Sequence, residues 1–207
     1  RYSLDDPLTY LDSNIYGTFN LLEVSKNLNL DHFMFASSSS VYGANTKIPY
    51  SENDICDQPL SFYAATKKSC ELMGHSWAHL HKVPTTALRF FTVYGPWGRP
   101  DMALYKFVES ITEGREIQIH HKGKMKRDFT YISDVVDAIA QIDHAVKMKR
   151  SSATIKSSQH SPFSVFNIGN GKAVPLMKFV STIETIMNKK AKIVYVNRVD
   201  GEVVDTL

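Results

Sequence analysis

Cysteine is nearly missing from this chain. Cys56 and Cys70 are the only two, too few for a disulfide framework and without the spacing of a thiolate metal site. Free thiols, no metal and a reducing, cytoplasmic compartment are the simplest expectations. No apolar run approaches the length of a membrane span, and no signal peptide opens the chain, so no membrane partner is expected. A surplus of one charge is lacking as well. The 24 Lys and Arg residues against 21 Asp and Glu leave a formal net charge of +3, too small to argue for nucleic acid. The single basic cluster, HHKGKMKR at 120–127, suits an anionic small ligand as well as a polymer. The sequence has no internal repeat and no long low-complexity segment. The first residue is Arg, not Met, so the start looks trimmed.

What is present is ordinary globular material. A length of 207 residues, 43% of them hydrophobic, suffices for one large domain or two small ones around a sizeable core. Asp6-Pro7 predicts a helix start, with Asp as N-cap and Pro at the first helical position. That helix is expected over 7–29, with Leu8, Leu11, Ile15, Phe19 and Leu22 as its apolar stripe. HFMFAS at 32–37 reads as a buried strand, and a long polar loop follows to Leu60. A helix over 61–81 ends at Val83-Pro84, before a second buried strand, TTALRFF at 85–91. YGPWGRPDMA at 94–103 is a Gly/Pro-rich loop. It leads to a helix over 103–113, a strand at EIQIH and a helix capped by Ser133. The stretch 151–162 reads as a surface loop; VFNIG, 175–189 and KIVYV read as strand, helix and strand. Helices alternating with buried strands predict an α/β fold with a parallel sheet. The loop at 94–103 is the expected crossing to a smaller part.

SFYAATKKSCELM at 61–73 poses a chemical question. Tyr63 and Lys67 lie four residues apart, so both side chains share one helix face. An ammonium beside a phenol favours the phenolate and lowers its pKa toward working pH. Such a phenol can take a proton from a substrate hydroxyl and give it back. Taken alone, the pair reads more readily as an ordinary polar helix face.

Three stretches occur in order: FASSSSVYG at 35–43, YAATK at 63–67 and RFFTVYGPWGRPDMA at 89–103. Together they resemble the extended short-chain dehydrogenase/reductase family, and within it the nucleotide-sugar 4-epimerases, most closely those acting on UDP-glucuronate. The likeness runs from the first helix through KMKRDFTYISDVVDAI at 124–139 to the final strand. It implies a Rossmann-type doubly wound parallel sheet, truncated at its N-terminus, over 1–95 and 129–171, with a substrate-binding part over 96–128 and 172–207. It also implies NAD as cofactor, a UDP-sugar as substrate and a homodimer. By resemblance, Tyr63 is the base, and Lys67 lowers its pKa and holds the nicotinamide ribose. Ser38 hydrogen-bonds the sugar's 4-hydroxyl, Asn14 lies near the cofactor, and Arg127 grips the nucleotide diphosphate. Arg127 also reads as part of a solvated basic run. The helices from Pro7 and Ser61 resemble the pair that family members use for dimer contact; Leu21, Val24, Leu72 and Trp77 are candidates for it.

The chain departs from the family pattern in front. Members open with a glycine-rich turn that cradles the dinucleotide pyrophosphate. Gly169 and Gly171, in NIGNG, have the wrong place and spacing for it. Near the end, Gly201-Glu202 stands where the family has Gly-Asp, after Asp200 in place of Pro. A non-catalytic remnant without its cofactor half is therefore the rival reading. Against it stands the retention of Ser38, Tyr63 and Lys67 together.

The expected reaction passes through a 4-keto sugar. Related dehydratases and decarboxylases carry acids after the catalytic Ser/Thr; Ser39 and Ser40 stand here and cannot act as carboxylic acids. A 4-keto uronate is a β-keto acid, so its carboxylate has to be held against loss of carbon dioxide. The hydroxyls of Ser39, Ser40 and Thr92 and the guanidinium of Arg99 suit that task. Thr92 reads equally as a strand-end residue, and Arg99 also as a surface arginine. A neutral or N-acetylated UDP-hexose is the alternative substrate. Met102, Ala103 and Phe107 fall where the family packs uracil, and they fit an amphipathic helix core equally well.

Overall fold

The computed structural model describes residues 2–149, 162–197 and 205–207. The expected loop at 151–162 and the Gly201-Glu202 pair lie, apart from Pro162, outside the described residues. Chain order begins with α1 (Tyr2–Asp5), α2 (Pro7–Tyr10), a π-helical turn (Leu11–Tyr16) and α3 (Gly17–Ser25). It continues with β1 (Phe33–Ser38), a 3₁₀ turn (Ser39–Tyr42), α4 (Phe62–His81), β2 (Thr85–Phe90) and β3 (Thr92–Tyr94). Then come α5 (Ala103–Thr112), β4 (Glu116–His120), β5 (Lys126–Tyr131) and α6 (Ile132–Lys149). The chain closes with β6 (Phe163–Ile168), β7 (Ala173–Pro175), α7 (Leu176–Met187) and β8 (Lys192–Val196). None of the described helices is long and apolar enough to cross a membrane.

β1, β2 and β6 form a parallel sheet in the order β1-β2-β6. Successive side chains along a strand point to opposite faces, and both faces are covered. On one, Phe35, Ala87, Phe163 and Val165 meet Ala78 of α4. On the other, Met34, Leu88, Phe90, Phe166 and Ile168 meet Val135, Ala138, Ile139 and Ile142 of α6. That is the two-faced layering expected of a parallel α/β sheet. Gly74 lets α4 lie close, since a Cβ there would stand 2.9 Å from the Phe35 ring. The register aligns Ser38, Phe90 and Ile168 in one row, so the three strands end level at their carboxyl edge, where open α/β sheets place ligands.

A second apolar cluster joins Phe107 and Ile111 of α5, Ile117 and Ile119 of β4, and Val180 and Ile183 of α7. The parallel pair β4-β8 lies beneath these helices. β3 and β7 flank β5, the first parallel and the second antiparallel to it. Asp128, 1% exposed, ties β5 to the NIGNG turn. Its carboxylate accepts the N–H groups of Asn170 at 2.8 Å and Gly171 at 2.7 Å, and the Thr130 hydroxyl at 2.9 Å.

Three expectations change. The helix expected over 7–29 is broken by the π turn, where the Gly17 N–H reaches the Asp12 carbonyl. Of its stripe only Leu22 is buried; Leu8 and Phe19 are exposed. β5 was not legible as a strand, because Lys126, Arg127 and Asp128 hide its alternation and the buried Asp128 is held by long-range hydrogen bonds. Ser133 is not a cap, since α6 starts at Ile132 directly from β5. Asp6 caps α2 as expected, accepting the Thr9 N–H.

The imidazole of His32 sits between Asp143 Oδ1 at 3.2 Å and Thr86 Oγ1 at 2.9 Å. Burial pushes its pKa below the ordinary 6.5; Asp143 opposes this and Lys147 adds to it. A depressed pKa means the unfolded chain binds the proton first as pH falls. The stabilisation is therefore full above about 6.5 and is lost as pH drops through the folded-state value. Thermal melts from about pH 7 down to about pH 5 are expected to show a falling midpoint, with the fall flattened in His32→Gln.

Candidate active site

Ser38 closes β1 with extended backbone and caps the 3₁₀ turn, accepting the Ser40 N–H at 3.1 Å. Its hydroxyl lies 3.1 Å from that of Ser40. Gly43 completes the turn at φ 55; a Cβ there would lie 2.0 Å from the Gln58 carbonyl oxygen, so glycine is required. α4 starts opposite. Ser61 caps it by accepting the Ala64 N–H at 3.2 Å, which places Tyr63 in the first turn and Lys67 one turn on. Lys67 Nζ donates to the Ala36 carbonyl at 3.0 Å, linking α4 to β1. The Tyr10 ring meets Tyr63 edge-on at 5.8 Å.

The electrostatics differ from the expectation for a Tyr-Lys pair. Burial raises the Tyr63 pKa above its ordinary value; a hydrogen bond from Ser38 and the charge of Arg99 pull it down without cancelling that rise. Burial also lowers the Lys67 pKa.

Asn14 stands in the π turn. Its amide donates to Thr66 Oγ1 at 2.9 Å, and its carbonyl accepts the Cys70 thiol at 3.3 Å. The turn thus locks Asn14 against the helix that carries Tyr63. Ser39 and Ser40 lie part-buried in the 3₁₀ turn, and Thr92 part-buried at the start of β3, opposite Phe129. Arg99 is exposed and held by both oxygens of Asp101, with Nε to Oδ1 at 2.9 Å. Met102 caps α5 and donates its N–H to the Arg99 carbonyl at 3.1 Å. Phe107 is buried in the second core. Arg127 Nη1 donates to the Lys126 carbonyl at 3.0 Å, and its charge acts on Tyr50. Ser38, Tyr63, Lys67 and Asn14 therefore converge on α4 and the end of β1, with Arg99 near enough to act on Tyr63.

The family model described as NAD dependent epimerase/dehydratase family matches residues 1–169. The chain belongs to that family. A probable UDP-glucuronate 4-epimerase of Rhizobium meliloti (strain 1021) is 53% identical over 196 residues, covering 92% of this chain and 58% of the relative. The crystal structure of a UDP-glucuronic acid 4-epimerase from Bacillus cereus, in complex with UDP-glucuronic acid and NAD, superposes with a TM-score of 0.84 at 33% identity. It covers 97% of this chain and 60% of that one. A UDP-N-acetylglucosamine 4-epimerase from Methanobrevibacter ruminantium M1, in complex with UDP-N-acetylmuramic acid, gives 0.83 at 28% identity, covering 99% and 62%. The chain thus spans about three fifths of the length of these epimerases, and it shares their Rossmann-type fold.

Two features of the epimerase/dehydratase site escaped the reading of the sequence. Tyr10 touches Tyr63 and no local pattern announces it. Glu71 and Arg89 form a buried bidentate pair, with Nε to Oε1 and Nη2 to Oε2 both at 2.8 Å. Its signal was present: an arginine inside the apolar run TTALRFF must find a partner, and Glu71 shares the Tyr63–Lys67 helix face at a spacing of four.

Ser38→Ala and, separately, Arg99→Gln each remove a contribution that stabilises the phenolate. Both are expected to move the Tyr63 titration further up, read by NMR of Cζ-labelled tyrosine with the signal assigned through Tyr63→Phe.

Proposed function

We propose that this chain carries the proton-transfer and sugar-binding part of an NAD-dependent UDP-sugar 4-epimerase that interconverts UDP-glucuronate and UDP-galacturonate. The observation that carries the reading is the convergence of Ser38, Tyr63 and Lys67 at the carboxyl edge of a parallel sheet, with hydroxyls in place of acids at Ser39 and Ser40. Homology to enzymes named for this reaction supports it.

The residues present fit the nicotinamide end of a dinucleotide. Lys67 has three ammonium donors, of which the Ala36 carbonyl takes one, and Asn14 is fixed one helix away. When bound, NAD supplies the reversible hydride acceptor that oxidation and re-reduction at carbon 4 require. Tyr63 Oη takes the proton of the 4-hydroxyl and returns it, and Ser38 hydrogen-bonds the same oxygen. Ser39, Ser40, Thr92 and Arg99 hold the uronate carboxylate away from the geometry of decarboxylation. Met102 meets the uracil, Phe107 braces α5 from the core, and Arg127 grips the diphosphate. The part built on the second core, over 96–128 and 172–207, covers the nucleotide. The product is a uronate donor for polysaccharide biosynthesis in the cytoplasm, a setting that two buried free thiols suit.

One observation favours a neutral UDP-hexose instead: Arg99 already has a carboxylate partner in Asp101. Kinetics on the NAD-loaded full chain decide. Tyr63→Phe is expected to lose about 10²–10⁴ in turnover with NAD retained. Arg99→Ala is expected to lose roughly 10- to 100-fold in kcat/KM on UDP-glucuronate and far less on UDP-glucose. It is also expected to release a pentose product detectable by mass spectrometry. Equal losses on both sugars would overturn the uronate assignment, and near-normal activity of Tyr63→Phe would overturn the base.

The assembly we infer is a C₂ homodimer through α3 and α4. Leu21, Val24 and Leu72 are 60%, 56% and 62% exposed, and the part-buried Trp77 stands edge-on to Phe19 at 5.8 Å. Sedimentation at micromolar concentration is expected to give a dimer, and Leu21→Glu with Leu72→Glu a monomer; a monomeric parent chain would refute the interface.

A further inference from the structure

Arg89 is the penultimate residue of β2 and Glu71 lies in the middle of α4, 2% and 3% exposed. The two charges meet where water does not reach. A buried ion pair is weak evidence for stability, because desolvating both groups consumes most of what their attraction returns. Its geometry points to another use.

The Glu71 carboxylate is shared among three elements. Oε1 accepts the Ser37 hydroxyl at 2.6 Å as well as Arg89 Nε, and Oε2 accepts Lys68 Nζ at 3.0 Å as well as Arg89 Nη2. The other face of the guanidinium lies over the Tyr42 ring, 4.8 Å from its centroid. Tyr42 in turn donates its hydroxyl to Asn167 of β6 at 2.7 Å and stacks on Tyr50 at 4.3 Å. Each tie ends beside a residue of the site. Ser37 precedes Ser38. Tyr42 closes the 3₁₀ turn that begins with Ser39 and Ser40. Glu71 stands one helical turn beyond Lys67 and two beyond Tyr63. Glu71 therefore spans the gap between the end of β1 and α4, the gap across which Ser38 reaches Tyr63, and Arg89 anchors it to β2.

We propose that Glu71 and Arg89 are positioning residues for proton transfer: through Ser37 and α4 they set the distance and angle between the Ser38 hydroxyl and the Tyr63 phenol. The inference rests on the epimerase reading above. Neither residue meets the sugar, so turnover depends on the pair and substrate affinity does not.

Glu71→Leu combined with Arg89→Met, in the NAD-loaded full chain, removes both charges and keeps the volume apolar, a change that buried pairs often tolerate. The expected result is a thermal midpoint at or above that of the parent and KM for UDP-glucuronate within about twofold. Turnover is expected to fall by roughly 10- to 100-fold, the loss typical of a misplacement on the order of 1 Å. The Tyr63 NMR titration is expected to move up as the Ser38 hydrogen bond weakens. A stable double variant with parental kcat and parental Tyr63 titration would make the pair purely structural and overturn the proposal. Where the double variant fails to fold, Ser37→Ala cuts only the link between carboxylate and strand end. Lower kcat at constant KM with a shifted Tyr63 titration supports positioning, and unchanged values overturn it. If the parent chain does not interconvert the uronates, the epimerase reading fails, and the Tyr63 titration in the same variants still decides the positioning role.

Discussion

The Glu71 carboxylate accepts hydrogen bonds from Ser37, Lys68 and two nitrogens of Arg89, and so ties α4 to both β1 and β2. Burial alone would raise its pKa; the hydrogen bonds and charge of Arg89, with Ser37 and Lys68, outweigh that and hold the carboxyl below its ordinary range. Arg89 is held charged by the same contacts. Two charges that each forbid the other's loss form a rigid strut between α4 and β2. Gly74 removes the side chain that would keep this helix off the sheet. Helix and sheet are thus fixed by one polar link at Glu71 and one close apolar contact at Gly74, less than one helical turn apart.

Rigidity there matters because burial opposes the charged forms of the groups it positions. Tyr63 and Lys67 are both pushed toward their neutral forms by burial. The phenolate gains from a serine hydroxyl and a loop arginine, which come from two separate segments of chain. Hydrogen bonds to a charged group weaken steeply with distance and angle, so the alignment of β1 with α4 governs how far the phenol can act as a base. The π turn serves the same alignment, since it holds Asn14 between Thr66 and Cys70.

Much of this arrangement was legible in residue order. The alternation of helices with TTALRFF-type strands announced a two-faced parallel sheet, and SFYAATKKSCELM announced a helix from about Ser61 with Tyr63 and Lys67 on one face. β5 and the π turn were not legible. Asp128 looks like a solvent-facing acid until the Asn170 and Gly171 N–H groups, some forty residues away, close on it. Nor does the stripe of Leu8, Leu11, Ile15, Phe19 and Leu22 reveal that one extra residue per turn at Leu11–Tyr16 rotates it off the core. Phe107 fitted base and core alike, and the structure packs it with Ile111, Val180 and Ile183.

The sequence by itself determined the local terms: which segments are helix or strand, where Ser61 and Asp6 start helices, and that Tyr63, Lys67 and Glu71 share one helix face. These follow from periodicities of a few residues, and neighbours in the chain enforce them. Tertiary structure alone decided the chemistry of that face. It aimed Lys67 at the Ala36 carbonyl, brought Arg99 within reach of Tyr63, and gave Glu71 to Arg89 from the next strand. The reason is that pKa values and ion pairs depend on burial and on charges within a few ångströms, and those neighbours come from residues far apart in the chain.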